Sequence, residues 1–388
     1  MQPKPHILPT VIIAQFACTS PWFAGNTIID ELIIKTGPGK EIIGWVLSSV
    51  QLGFIIGTLL FGLLMIVDRL APSKVFMICA FCAALSNLIL IFPNLTSYTL
   101  LFARFSTGFF LAGIYPVGMK IAADYYEKGL GKALGFLVGA LVLGTAFPYL
   151  LNGTDWGKNY EIVIQVTTWI TTLGGLLLYL LVPNGPFRLP SKRIQLDVAP
   201  KLFKNIRFKK AALGYFGHMW ELYAFWAFTP IAISFYNSIT GSEILVPLWT
   251  GIIIGIGSVS CGLGGIISEK IGSRKVAVRA LIISGICCLL SPVLFKLPPV
   301  QFLMVWSLWG FAVTADSPQL SKLVAVSATG EIKGTALTLT TCIGFGITIV
   351  SIQLLSYLQH IIGINYLFLV LAVYPALGVW HLIRLKNV

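Results

Sequence analysis

Charge is scarce along this chain. Asp, Glu, Lys and Arg make up 11% of its 388 residues, where a soluble domain carries about 25%. So few ions cannot clothe a soluble globule of this length. Acids are rarest, 14 against 27 cations. Four His and six Met exclude a dedicated soft-metal path. The seven cysteines (Cys18, Cys79, Cys82, Cys261, Cys287, Cys288, Cys342) all fall in apolar runs or at their ends. Cys79 and Cys82 form a CxxC, but no His or second CxxC lies near to complete a four-ligand zinc site. They read as small buried hydrophobes. No metal and no cofactor are expected. The absence of a GxxxxGK[ST] loop excludes ATP-driven transport by this chain alone. No DDxxD-type cluster or HxxxxD motif occurs, so an integral-membrane enzyme lacks its chemistry. The loops are too short for the signalling domain of a receptor-like sensor.

Long apolar runs, by contrast, fill the chain. It is 56% hydrophobic, with mean hydropathy +0.87. Twelve runs approach or exceed the roughly 20 residues that cross a bilayer: 8–30, 42–67, 74–93, 97–123, 131–152, 161–183, 211–236, 244–267, 276–297, 300–323, 334–358 and 365–383. A β-barrel would show short alternating strands instead. The first run has one flanking Lys and no small-residue cleavage pattern, so it is expected to be retained rather than cleaved as a signal peptide. The expected fold class is an all-α membrane protein of twelve transmembrane helices.

With both termini cytoplasmic, 22 of the 27 cations fall on inner segments, four fall on outer ones, and Arg104 lies inside the fourth run. This asymmetry predicts that orientation. It also accounts for the net charge of +13 without a nucleic-acid partner. Eight cations sit between 184 and 210, together with Pro186, Pro190 and Pro200. That stretch is expected to be a cytoplasmic basic linker between two six-helix bundles, 1–183 and 211–388. Internal repetition supports the division. Gly108, Pro116 and Lys120 recur 202 residues on as Gly310, Pro318 and Lys322, and Asp68-Arg69 recurs 201 residues on as Glu269-Lys270. Duplicated halves are the architecture of many secondary transporters.

After the eighth run comes Gly265-Ile-Ile-Ser-Glu269-Lys270-Ile-Gly272-Ser-Arg274-Lys275. It resembles the loop signature of the major facilitator superfamily. The first-half copy, Asp68-Arg69-Leu70-Ala71-Pro72, is degenerate, with Ala71 and Pro72 where that family has Gly and Arg. Arg104, Gly108 and Ala112-Gly113 are similar to its Arg-bearing motif, and Gly135, Gly139, Gly144 and Pro148 loosely to its Gly/Pro-rich one. The resemblance covers the whole chain and implies two pseudo-symmetric bundles of bacterial type in the plasma membrane (a bacterial inner membrane). There is also a loose similarity to the cyanate/nitrate permease-like group. The nitrate signatures are missing: runs two and eight have no Arg, and 135–148 and 334–351 have no Asn.

The resemblance further implies that spans one, four, seven and ten line a central cavity. Their polar residues follow helical spacing: Gln15, Thr19, Trp22 and Asn26 in span one; Arg104 and Tyr115 in span four; His218 and Glu221 in span seven; Asp316 and Gln319 in span ten. These are the expected substrate contacts, apart from Glu221 and His218. Glu221 lies about 15 Å from the inner edge, at 1.5 Å rise per residue. An intramembrane carboxylate costs roughly 2.5–3.5 kcal/mol and usually has a functional reason. Glu221 is therefore expected to carry a coupling proton, with His218 as its relay. Arg104, about 10 Å below the outer surface, either meets an anion or bonds backbone carbonyls. Asp316 is expected within reach of water. The loop residues Asp68, Arg69, Gly265, Glu269, Lys270, Gly272, Arg274 and Lys275 are expected to gate. The function expected is secondary transport of a small molecule by alternating access, proton-coupled, with an uncoupled facilitator as the alternative. Membrane lipid and protons are the further partners.

Overall fold

The computed structural model describes residues 4–37, 42–126, 129–188, 194–328 and 332–385. Every regular element among them is helical. Among the described residues ten helices are long and apolar enough to cross a membrane. The two remaining expected spans, seven and ten, are helical but are not among those ten. Large side chains such as Phe102, Trp169, Leu180 and Met304 face outward, while Asn87, Thr167, Ser284 and Thr348 are buried. That inversion suits a lipid solvent, in which polar groups must find partners inside.

The chain divides into two compact units, Met1–Arg193 and Ile194–Val388. The first holds α1 (Ile7–Thr19), α2 (Pro21–Thr27), α3 (Ile29–Thr36), α4 (Ile43–Leu63), α5 (Ile66–Arg69), α6 (Pro72–Leu88), α7 (Ser97–Leu111), α8 (Tyr115–Tyr125), α9 (Leu130–Asn152) and α10 (Tyr160–Leu181). The second holds α11 (Ala199–Lys204), α12 (Ile206–Thr240), α13 (Val246–Ile271), α14 (Ser273–Leu294), α15 (Pro299–Ala315), α16 (Ser317–Ser327), α17 (Lys333–Leu358), α18 (Ile364–Leu367) and α19 (Val373–Ile383). The described part of the basic stretch is partly helical. Its end contains α11 and the first residues of α12, started by the Asn205 carboxamide, which accepts from the Arg207 and Phe208 amides.

Three expected spans are interrupted at proline. Span one turns at Ser20-Pro21, span four at 112–114 before Pro116, and span ten at Asp316 before Pro318. Proline has no amide to donate to the carbonyl four residues back. At Pro21 that carbonyl belongs to Ala17, and the hydroxyls of Ser20 (2.8 Å) and Thr171 (3.1 Å) donate to it instead. At Pro318 it belongs to Thr314, where the Asp316 amide and the Cys261 thiol replace the lost donor.

Glycine sets the helix spacing at matching places in each unit. A Cβ on Gly108 of α7 would lie 1.9 Å from the Val50 carbonyl oxygen of α4. A Cβ on Gly310 of α15 would lie 2.2 Å from the Ile253 carbonyl oxygen of α13.

Candidate functional site

In the first unit the polar residues converge on the bend between α1 and α2. Arg104 reaches from α7 past Gly25, where any Cβ would lie 2.9 Å from its side chain. It donates to the carbonyls of Pro21 (3.1 Å) and Trp22 (2.5 Å) and to Asn26 Oδ1 (2.9 Å). All three acceptors are neutral, and Arg104 is fully buried. Arg104 and Asn26 thus brace a bent helix with the guanidinium fork. Arg104→Lys is expected to cost about 2–4 kcal/mol, because an ammonium cannot span three fixed oxygens in one plane. Thermal unfolding of the purified variant checks this, and an unchanged melting temperature would refute the brace.

The other first-unit candidates differ in how far their polar groups are used. The Thr19 hydroxyl returns to the Gln15 carbonyl at 2.8 Å. Trp22 packs on Phe54 with ring centroids 5.0 Å apart. Tyr115 is half-buried at the start of α8. Gln15 is fully buried against Gly118, yet neither its amide nitrogen nor its amide oxygen has a hydrogen-bond partner.

The second unit contains two separate clusters. His218 Nδ1 lies 2.8 Å from Asp316 Oδ1, at ion-pair distance but with the oxygen off the ring N–H axis. His218 Nε2 and the Ser317 hydroxyl are 2.7 Å apart. Neutral His218 accepts there from Ser317; protonated His218 donates to it, with the hydroxyl rotated. The cluster therefore gains or loses a proton without displacing a heavy atom. Asp316 Oδ2 and the neighbouring Gln319 Oε1 have no partner. Asp316 is only 1% exposed. This corrects the expectation that water reaches it, because the bend at Pro318 turns its carboxylate toward α12 rather than outward.

Glu221 belongs to the other cluster. Its Oε1 accepts from the Trp309 indole (2.6 Å) and the Cys288 thiol (3.3 Å), and its Oε2 from the Ser284 hydroxyl (3.0 Å). The carboxylate ties α12 to α14 and α15. His218, one turn away in sequence, is engaged elsewhere. Trp309 also packs with Phe225 and Trp306 at 4.6 and 5.2 Å between centroids. Trp220 stacks on Tyr374 at 4.4 Å. Sequence spacing missed Ser317, Ser284 and Cys288 as partners. The one available signal was the four-residue interval between Ser284 and Cys288, which puts both on one face of α14.

The two loop motifs differ too. Asp68 pairs with Lys120 at 3.6 Å, and Arg188 donates to the carbonyls of Val67, Asp68 and Leu70, while Arg69 is exposed. In the second copy Gly265 is buried within α13, and Glu269 and Lys270 are exposed at its end. Gly272 takes φ +88° between α13 and α14, a conformation that favours glycine. Arg274 donates to the Leu385 carbonyl, and Lys275 is exposed. Among the described residues no three His, Cys, Asp or Glu side chains gather as a metal site.

Residues 11–351 match the sequence profile described as Major Facilitator Superfamily. No curated protein matches the chain in sequence. Among solved structures, a point mutant of the nucleoside transporter NupG superposes with a TM-score of 0.71 at 15% identity, covering 98% of this chain and 100% of that one. At that identity the likeness speaks to the fold alone.

Proposed function

This chain belongs to the Major Facilitator Superfamily, and from that premise we propose that it is a proton-coupled secondary transporter of a small polar molecule. The coarser statement holds by membership: it is a multi-pass membrane transporter, not an enzyme. The finer reading has twelve spans in two six-helix bundles, alternating access, and both termini in the cytoplasm of a bacterial-type plasma membrane. The cation asymmetry supports that orientation.

The observation that carries the coupling is the His218–Asp316 pair. With the proton present it is an ion pair. With the proton gone, His218 is neutral and Asp316 is a buried carboxylate with no compensating charge, which is costly in an apolar span unless water or a donor on the substrate reaches it. Proton loading and opening of the site are thereby linked. Glu221 already has three donors, which supports a bracing role instead.

Spent and unspent polar groups sort the substrate contacts. Gln15, Asp316 and Gln319 keep hydrogen-bonding capacity, whereas Thr19, Asn26 and Arg104 direct theirs to the protein. Within the second unit, the Gln319 carboxamide and the Asp316 carboxylate suit a neutral solute bearing both donors and acceptors. Nucleosides, the cargo named for NupG, therefore head the panel for a thermal-shift screen. Uptake into proteoliposomes with and without a pH gradient then tests coupling, and equal uptake in both would leave an uncoupled facilitator.

The exposed acid of the better-kept loop is assigned to gating. Glu269→Ala is expected to lower turnover about tenfold with KM within about twofold, the pattern of a step after binding. Unchanged turnover with a raised KM would reject the gate.

A further inference from the structure

The repeat contains a mismatch that creates a site. In the first unit Lys120 is neutralised by two carboxylates, Asp68 at 3.6 Å and Asp124 at 3.9 Å. Asp124 also lines a small space of about 10 Å³ with Pro72, Ser73 and Gly185. The position 202 residues after Lys120 is Lys322, but the position 202 after Asp124 is Val326. The second unit has lost that acid. Glu269, the counterpart of Asp68, is exposed, and among the described residues no carboxylate pairs with Lys322. In place of that small space is a cavity of about 360 Å³, to which Lys322, Arg274, Lys275, Ser268 and Ser273 contribute the polar lining.

The polar side chains of this cavity are cationic or hydroxylic. The 22-residue helix α14 begins at it, and its N-cap is Gly272, which has no side chain to cap the first amides. Those amides carry the positive end of the helix dipole. Ser273, 8% exposed, lines the cavity with a buried hydroxyl that has no hydrogen-bond partner. Arg274 spends one donor on the Leu385 carbonyl, leaving the rest of its fork available. No acid is among the lining residues.

We propose that this cavity binds a phosphate group, which supplies the negative charge that Asp124 supplies in the first unit. The Ser273 hydroxyl and the first amides of α14 donate to its oxygens, and Arg274, Lys275 and Lys322 balance its charge. Ile271, Leu323, Val326 and Leu385 add an apolar wall, so the phosphate can belong to an anionic lipid headgroup as well as to a free ion.

Two arms separate these sources. In uncharged detergent, the melting temperature is measured in millimolar inorganic phosphate against chloride of equal ionic strength. In nanodiscs of phosphatidylglycerol or phosphatidylcholine, native mass spectrometry counts the lipid retained on the released protein. The wild-type chain, Ser273→Ala and Lys322→Gln are compared, and their melting without phosphate reports their folding. The expected result is binding in at least one arm, weakened about tenfold by either substitution, as for loss of one charge-assisted hydrogen bond. Response to inorganic phosphate assigns a free ion, and selective retention of phosphatidylglycerol assigns a headgroup. No binding in either arm, or binding that both folded variants keep at full strength, would overturn the site.

Discussion

Asp316→Asn is expected to abolish pH-driven accumulation while leaving counterflow intact, and Glu221→Gln is expected to leave both intact. One proton crossing a gradient of one pH unit supplies about 1.4 kcal/mol, enough for about tenfold accumulation of a co-transported solute. Asparagine cannot form the charge-dependent pair with His218, so the pH gradient loses its handle and the accumulation ratio should fall to about one. Counterflow needs no net proton movement and should persist within about threefold. Glutamine at 221 keeps an oxygen for the Trp309 indole, and its amide can donate to the Ser284 hydroxyl, which rotates to accept. Glu221→Leu, by contrast, orphans the Trp309 indole and the Cys288 thiol, leaves Ser284 only the Leu281 carbonyl, and should cost about 2–4 kcal/mol. Assigning the proton to Glu221 predicts instead that Glu221→Gln loses pH-driven accumulation and keeps counterflow. Both variants in the same liposome preparation decide between the assignments, and loss of pH-driven uptake in Glu221→Gln alone would sink the His218–Asp316 reading.

The distance between these assignments shows how far sequence reaches. Membrane character, helix positions and the unusual residues Arg104, His218, Glu221 and Asp316 were all legible, because each is a departure from an apolar background. Partners were not. His218 and Asp316 are 98 residues apart, and their meeting depends on the bend before Pro318. A helical wheel puts His218 beside Glu221, but two residues on one helix can engage different neighbours. For Arg104 the sequence left an anion and backbone carbonyls as alternatives, because the positions of carbonyls leave no mark in a sequence. The signal for its role lay in Pro21, which bends the helix that Arg104 braces, and in Gly25, which makes room for it. The repeat was legible as spacing. Its broken member, Val326 in place of an acid, gained meaning only when the first unit showed what Asp124 does.

Repetition also sets up a large stability effect. Gly108→Ala and Gly310→Ala should each destabilise their unit by about 3 kcal/mol. The added methyl in each case meets a backbone carbonyl oxygen, at 1.9 Å from Val50 and 2.2 Å from Ile253. A side chain could rotate away from such a contact, but a carbonyl locked in a helical hydrogen-bond ladder cannot. Relief requires the helix pairs α4–α7 and α13–α15 to separate. Separation would loosen their dispersion contacts, the main attraction between helices in lipid, and the Ser260–Thr314 hydroxyl pair at 2.9 Å between α13 and α15. Gly346→Ala in α17 is the matched control, since nothing lies within 4 Å of its added Cβ. That variant should be neutral or stabilised by up to about 1 kcal/mol. Detergent-solubilised protein, followed by thermal unfolding and size-exclusion profile, reads all three. If Gly108→Ala melts with the control, helix spacing is not set at that glycine. If the two tight positions differ widely from each other, the halves share their sequence pattern without sharing its mechanical role.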